Sequence, residues 1–153
     1  MTVDRNKRPL EAKLIDGLYV EAMVLADEAR SYFDRGGQQD RESLDPMARV
    51  AFSCESLKVT TRLMHVVAWL LVRRAVDHGE ISVAEARQPS RRLGMAADTD
   101  DAAIAAMPQR AGDLVAASCD LYARVKRLDE ELDRVGPVPS PARSLIDRIE
   151  RSL

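Results

Sequence analysis

Residues Pro46 to His78 are the most strongly specified stretch of this chain, and the other segments have to be fitted around them. Asp45 can cap a helix here by accepting from the free amides of the first turn. Pro46 suits the first helical position, where its missing N–H is not needed. At the far end Gly79 offers a left-handed exit, and His78 suits the negative end of the helix dipole. Between these marks Val50, Cys54, Leu57, Thr61, Met64, Ala68, Leu71 and Ala75 recur at alternating spacings of three and four. The pattern predicts one buried seam on a helix about 50 Å long, at about 1.5 Å per residue.

Two further strips share this helix. Leu63, Val66, Val67 and Leu70 widen its apolar arc, as a helix with two neighbours requires, or one that meets a second chain. On another side Glu55, Lys58, Arg62, His65, Trp69 and Arg73 fall within an arc of roughly 80° at about 100° per residue. Two readings fit that stripe. In one, Trp69 is a boundary residue tucked against the first helix and the charges are solvated. In the other, Arg62, His65, Trp69 and Arg73 are a docking face, since Trp and Arg dominate binding hot spots. Glu55 with Arg62, and Thr60 and Thr61 beside them, can instead fix the register between helices through buried polar bonds.

The rest of the chain supplies partners for this helix. After a loose arm over residues 1–9, Ile15, Leu18, Ala22, Leu25, Ala29 and Phe33 make a helical seam, ended by Asp34-Arg35-Gly36-Gly37. A polar connection, Gln38 to Leu44, leads into the central helix. Beyond it, Ser82-Val83-Ala84-Glu85 is a capping box that Pro89 cuts short. The basic patch Arg87, Arg91 and Arg92 reads as part of a solvated loop. A third seam runs from Ile104 and Met107 through Ala111, Leu114, Ser118, Leu121, Val125, Leu128 and Leu132 to Val135, suiting shallow-angle packing. Pro108 within it predicts either a kink or a helix start near Met107. Gly136-Pro137-Val138-Pro139 then separates a first unit, residues 1–135, from a short amphipathic tail, residues 136–153. Leu145 and Ile149 lie on the tail's apolar side, which needs something to lie on: its own bundle or a partner.

The expected fold is therefore all-α, an antiparallel three-helix bundle with long helices and a short helical tail. Aromatics are 4% of the 153 residues, and no period-two pattern offers strands. A formal charge of −2 with interspersed signs lacks the basic face of a nucleic-acid binder. No apolar run is long enough for a membrane span, and no secretory signal opens the chain. Cys54 and Cys119 lack metal-ligand spacing and read as reduced thiols in a cytoplasmic protein. His65 and His78 are not paired at helical spacing, and no phosphate loop or nucleophile elbow occurs. No catalytic residue, metal or cofactor is expected. The expectation is an interaction protein, either an adaptor or a homo-oligomeric scaffold.

The run Glu55-Ser56-Leu57-Lys58-Val59-Thr60-Thr61-Arg62-Leu63-Met64, then Trp69-Leu70-Leu71-Val72 and Arg74-Ala75-Val76, resembles the RcdA-like family of alphaproteobacterial cell-cycle proteins. Glu21-Ala22-Met23, Glu28, Tyr32-Phe33 and Gly79-Glu80 are similar too, so the resemblance covers about residues 14 to 87 and, more loosely, the third helix. It implies a non-enzymatic, often dimeric bundle with a flexible tail. It also implies an adaptor role at a cell pole: delivery of a CtrA-like response regulator and other cargo to the ClpXP protease, with CpdR-like and PopA-like accessory regulators.

Overall fold

The computed structural model describes residues 7–134 and 141–152, without the side chains of 7–9, 141–145 and 147. Among these residues there are helices and no strands. Asp45 is extended, and its Oδ1 accepts from the Ala48 amide at 2.8 Å, so the central helix (α3) starts at Pro46 and runs 32 residues to Asp77. Its exit is closed by two crossed bonds, Glu80 N–H to Ala75 O at 2.9 Å and Gly79 N–H to Val76 O at 3.0 Å. Gly79 takes φ +73°, which that exit demands and a Cβ would oppose.

The first helix, α1, spans Lys7–Ser31 and then widens into a π-helical turn, Tyr32–Gly36. Gly37 packs so closely there that a Cβ would lie 2.8 Å from the Tyr32 carbonyl. The expected polar connection carries a short helix, α2 (Gln38–Glu42), held by a 2.7 Å bond from the Tyr32 hydroxyl to Asp40. Tyr32, Phe33 and Phe52 meet edge to face at this end of the bundle, with Phe33 centred 5.1 Å and 5.3 Å from the other two rings. After α3 come the short helices α4 (Val83–Ala86), capped by Ser82, and α5 (Asp101–Ala105), capped by Asp100. Pro108 breaks the third seam, and the long helix α6 is Gln109–Arg134. The last helix is α7, Pro141–Ser152.

α3 packs on both α1 and α6, which also touch each other. Ion pairs set the directions. Glu28 meets Arg110 and Glu21 meets Arg124, so α1 runs against α6; Asp16 meets Arg74, so α1 also runs against α3. Arg62 reaches Ser118 and Trp69 reaches Asp129, so α3 and α6 run the same way. The chain therefore has to return along the whole bundle between α3 and α6. Residues 87–100 make that return, and this sets the character of the molecule.

The core contains the predicted faces of α1 and α6: Ile15, Leu18, Ala22, Leu25 and Ala29 against Ala111, Leu114, Leu121 and Val125. α3 differs. Phe52, Val59, Leu63, Val66 and Leu70 are buried, whereas Val50, Leu57, Met64 and Leu71 of the expected seam are 47–68% exposed. Cys54, Thr61 and Ala68 lie on the exposed side with them. The helix presents the opposite face to its neighbours from the one its heptad spacing suggested. The physical reason is that α3 has two apolar arcs, and only the one flanked by Glu55, Arg62 and Trp69 has partners for its polar groups inside the chain.

Candidate functional site

The structure brings Glu55, Arg62, His65, Trp69 and Arg73 together on one face of α3, and the chain's own return segment lies on that face. Arg62 is 1% exposed. Its Nε and Nη2 donate to the Ala97 carbonyl at 3.1 and 2.9 Å, and its Nη1 donates to Ser118 Oγ at 3.1 Å. Nη2 also donates to Thr99 Oγ1 at 2.5 Å, and the Thr99 hydroxyl in turn donates a hydrogen bond to Glu55 Oε2 at 2.6 Å. Lys58 covers the other Glu55 oxygen at 3.0 Å. This relay joins Arg62 to the Glu55 carboxylate through a hydroxyl, while Lys58 pairs with the same carboxylate directly.

Two turns further on, Trp69 is 2% exposed and donates its indole N–H to Asp129 Oδ1 at 2.9 Å. Arg92 grips both oxygens of the same carboxylate at 2.9 and 3.0 Å and reaches Asp133 at 3.1 Å. Burial pushes the Asp129 carboxyl up, but Arg92, the indole and the Leu93 amide together outweigh it and hold it below the usual carboxylate value. The basic patch expected to be solvated is thus divided: Arg92 is a structural clamp, Arg87 is half-buried and Arg91 is exposed. Between the two networks the Tyr122 hydroxyl donates to the Gly94 carbonyl at 2.7 Å and accepts from the Ala96 amide at 3.2 Å. Gly94 lies against the imidazole of half-buried His65, where a Cβ would come 2.3 Å from Nδ1. Arg73 stacks its guanidinium 5.3 Å from the Trp69 ring centre. Burial lowers the Arg73 pKa, opposed by Asp129 and assisted by Arg87 and Arg92, and its Nε finds no acceptor.

Arg62 and Trp69 consequently cannot meet another protein, and the docking-face reading of the stripe is corrected to an internal seat. The register-fixing alternative describes Glu55 and Arg62, but not Thr60 and Thr61, which are exposed and bond back to the Ser56 and Leu57 carbonyls of their own helix. Leu63, Val66 and Leu70 are buried between helices, with Val67 half-buried at the edge. Ile149 is 55% exposed, and the Leu145 side chain lies outside the described residues.

What remains open on the surface is apolar. The α3 seam, with Val50, Leu57, Met64 and Leu71 at every seventh position, borders a groove of about 640 Å³ between α1 and α3. Ala26, Phe33, Leu63, Val67 and Leu71 line it. α1 adds Val20, Met23 and Val24, each 44–60% exposed. The heptad spacing marks this surface in the sequence, but its side chains face outward and not into the core. No group of three or more His, Cys, Asp or Glu among the described residues could hold a metal ion. Burial raises the Cys119 pKa, which keeps that thiol protonated at neutral pH. No helix among the described residues is long and apolar enough to cross a membrane.

Comparison with known proteins adds kinship to this geometry. A family model described as "Protein of unknown function (DUF1465)" matches residues 6–153. Among curated proteins there is no significant match. Among solved structures, RcdA from Caulobacter crescentus CB15 is similar at 32% identity and a TM-score of 0.60. That match covers 80% of this chain and 93% of the other. A family model over nearly the full length, together with a similar structure carrying the family's name, makes the chain a member of the RcdA-like family.

Proposed function

We propose that this protein is a non-enzymatic adaptor that assists delivery of a CtrA-like response regulator to the ClpXP protease, working with CpdR-like and PopA-like accessory regulators. The supporting observation is the contiguous apolar face on α1 and α3, which has no cover among the described residues. An adaptor works by effective concentration: gripping cargo and protease-bound factor together turns the second encounter into a local one. The α1–α3 groove is the right shape for an apolar helix of a protein partner. The homodimer that the family resemblance implies pairs through the α3 seam, whose seven-residue repeat is self-complementary. The working site is the cytoplasm, at a cell pole where the family's proteolysis is organised.

Purified protein added to protease, accessory regulators and cargo should shorten the cargo's half-life; an unchanged half-life rejects the adaptor reading. A second reading, a homo-oligomeric scaffold, is favoured by the length of the seam repeat alone. It predicts that Leu57→Glu dissolves the oligomer in light scattering while cargo turnover is the same with or without the protein. Leu70→Glu is unsuitable for this purpose, since Leu70 is fully buried and its loss would unfold the chain.

A further inference from the structure

We propose that α7 docks in its own chain, into the groove at the end of the bundle where α6 finishes. This inference stands apart from the adaptor reading, since its test needs no partner. The groove encloses about 630 Å³ between the start of α1, the last turns of α3 and α6, and α4. Leu14, Ile81, Val83 and Leu132 give it an apolar lining, and Leu14 and Val83 are about half exposed for want of a cover.

Three observations select α7 as the occupant. The first is reach. Leu128, Glu131 and Leu132 of α6 form one wall, so α6 ends at the groove, and the six residues between Arg134 and Pro141 can span about 20 Å. α7 itself is 12 residues, about 18 Å, which suits a groove one helix wide. The second is the apolar match: Ile146 and Ile149, one turn apart on α7, are 53% and 55% exposed and need a surface to lie on. The third is charge. Glu11 and Glu131 border the groove and make no ion pair with a described residue, and the same holds for Arg148 and Arg151 on α7. Inside the groove Arg73 Nε lacks an acceptor, and Glu150, next to Ile149, carries one. Both signs therefore find their opposites when the helix is laid in.

The test uses the full chain with methyl-labelled Ile, Leu and Val. In the Ile146→Glu/Ile149→Glu variant, the resonances of Leu14, Ile81, Val83 and Leu132 should shift while buried Val59 stays in place. Viewed from the other partner, Glu131→Lys, a change confined to the bundle surface, should move the Ile149 methyl. The wild-type spectrum should hold over a hundredfold dilution. Groove methyls that do not respond to the tail variant, or an Ile149 methyl indifferent to Glu131→Lys, overturn the proposal. Shifts that disappear on dilution overturn it too, because they assign the groove to the tail of another copy.

Discussion

Trp69 and Asp129, sixty residues apart, share a 2.9 Å hydrogen bond in the interior, and Arg92 of the return segment closes on the same carboxylate. One acid thus fastens three parts of the chain: α3, α6 and the connection between them. Trp69→Phe removes the indole donor and leaves a void where the larger ring was packed. It should cost about 2–4 kcal/mol, the lost hydrogen bond to a charged acceptor adding to the cavity. Asp129→Ala should cost about 3 kcal/mol or above, since it strands Arg92 and the indole. Combined in a double-mutant cycle by urea denaturation, the two should be clearly non-additive. Additive costs would mean that the bond contributes nothing.

The same arrangement explains which parts of the fold were legible in the sequence. α1 and α6 are amphipathic on one side only, so the spacing of Ile15 to Ala29 and of Ala111 to Val125 identifies the buried face without ambiguity. The caps at Asp45, Ser82 and Asp100 and the exit at Gly79 are local chemistry and sit where the residue types place them. α3 could not be oriented this way, because Leu57 and Met64 look as suited to a core as Val59 and Val66. What decides between them is where Arg62 and Trp69 find partners. Those are a backbone carbonyl at Ala97, hydroxyls at Thr99 and Ser118 and a carboxylate at Asp129, between 35 and 60 residues away. Periodicity carries no trace of bonds to a carbonyl in an irregular segment.

Arg62 gives a sharper test of that internal seat. Its guanidinium bonds a carbonyl and two hydroxyls at fixed angles, a fork that an ammonium cannot reproduce. Arg62→Lys should therefore destabilise almost as much as Arg62→Ala, by about 3 kcal/mol or more, since the ammonium keeps the charge but leaves buried acceptors at Ala97, Thr99 and Ser118 without their donors. Chemical denaturation of both variants measures this. A stable Arg62→Lys chain would show that the charge alone matters and the fork does not.

Acid should loosen the clamp in a defined window. The folded-state pKa of Asp129 lies below its ordinary value of 3.8. The folded state therefore holds this proton less tightly than the unfolded chain. The resulting stability is fully present above about 3.8 and is lost as pH falls through the lower folded value. Asp129→Asn should be less stable than the natural chain at neutral pH, and the gap should narrow toward pH 2 in urea midpoints. A gap of constant size across that range would assign the lowered pKa no part in stability.

The exposed seam should behave differently from everything beneath it. Leu57→Glu and Met64→Glu change side chains that are 68% and 66% exposed, so the fold should lose no more than about 0.5 kcal/mol. Val66→Glu, half a turn from Met64 on the buried side, should prevent folding. In light scattering the two seam variants should be smaller particles than the natural chain at equal concentration. Seam variants that unfold would place this face inside the core after all.

Gly94 offers the most local check on how the return segment is seated. It is half-buried against His65, and a Cβ there would come 2.3 Å from the imidazole Nδ1, far inside van der Waals contact. The segment cannot simply lift, because the Gly94 carbonyl is held by Tyr122 and the next residues by Arg62. Gly94→Ala should then cost about 1–3 kcal/mol, the usual range for overpacking. The cost arises from one ring, so trimming that ring should recover it. In a His65→Ala background the Gly94→Ala penalty should fall by at least half, as read from thermal or urea midpoints. A penalty that is the same with and without the imidazole would trace it to backbone freedom at Gly94, and the close packing of the return segment on α3 would lose its support.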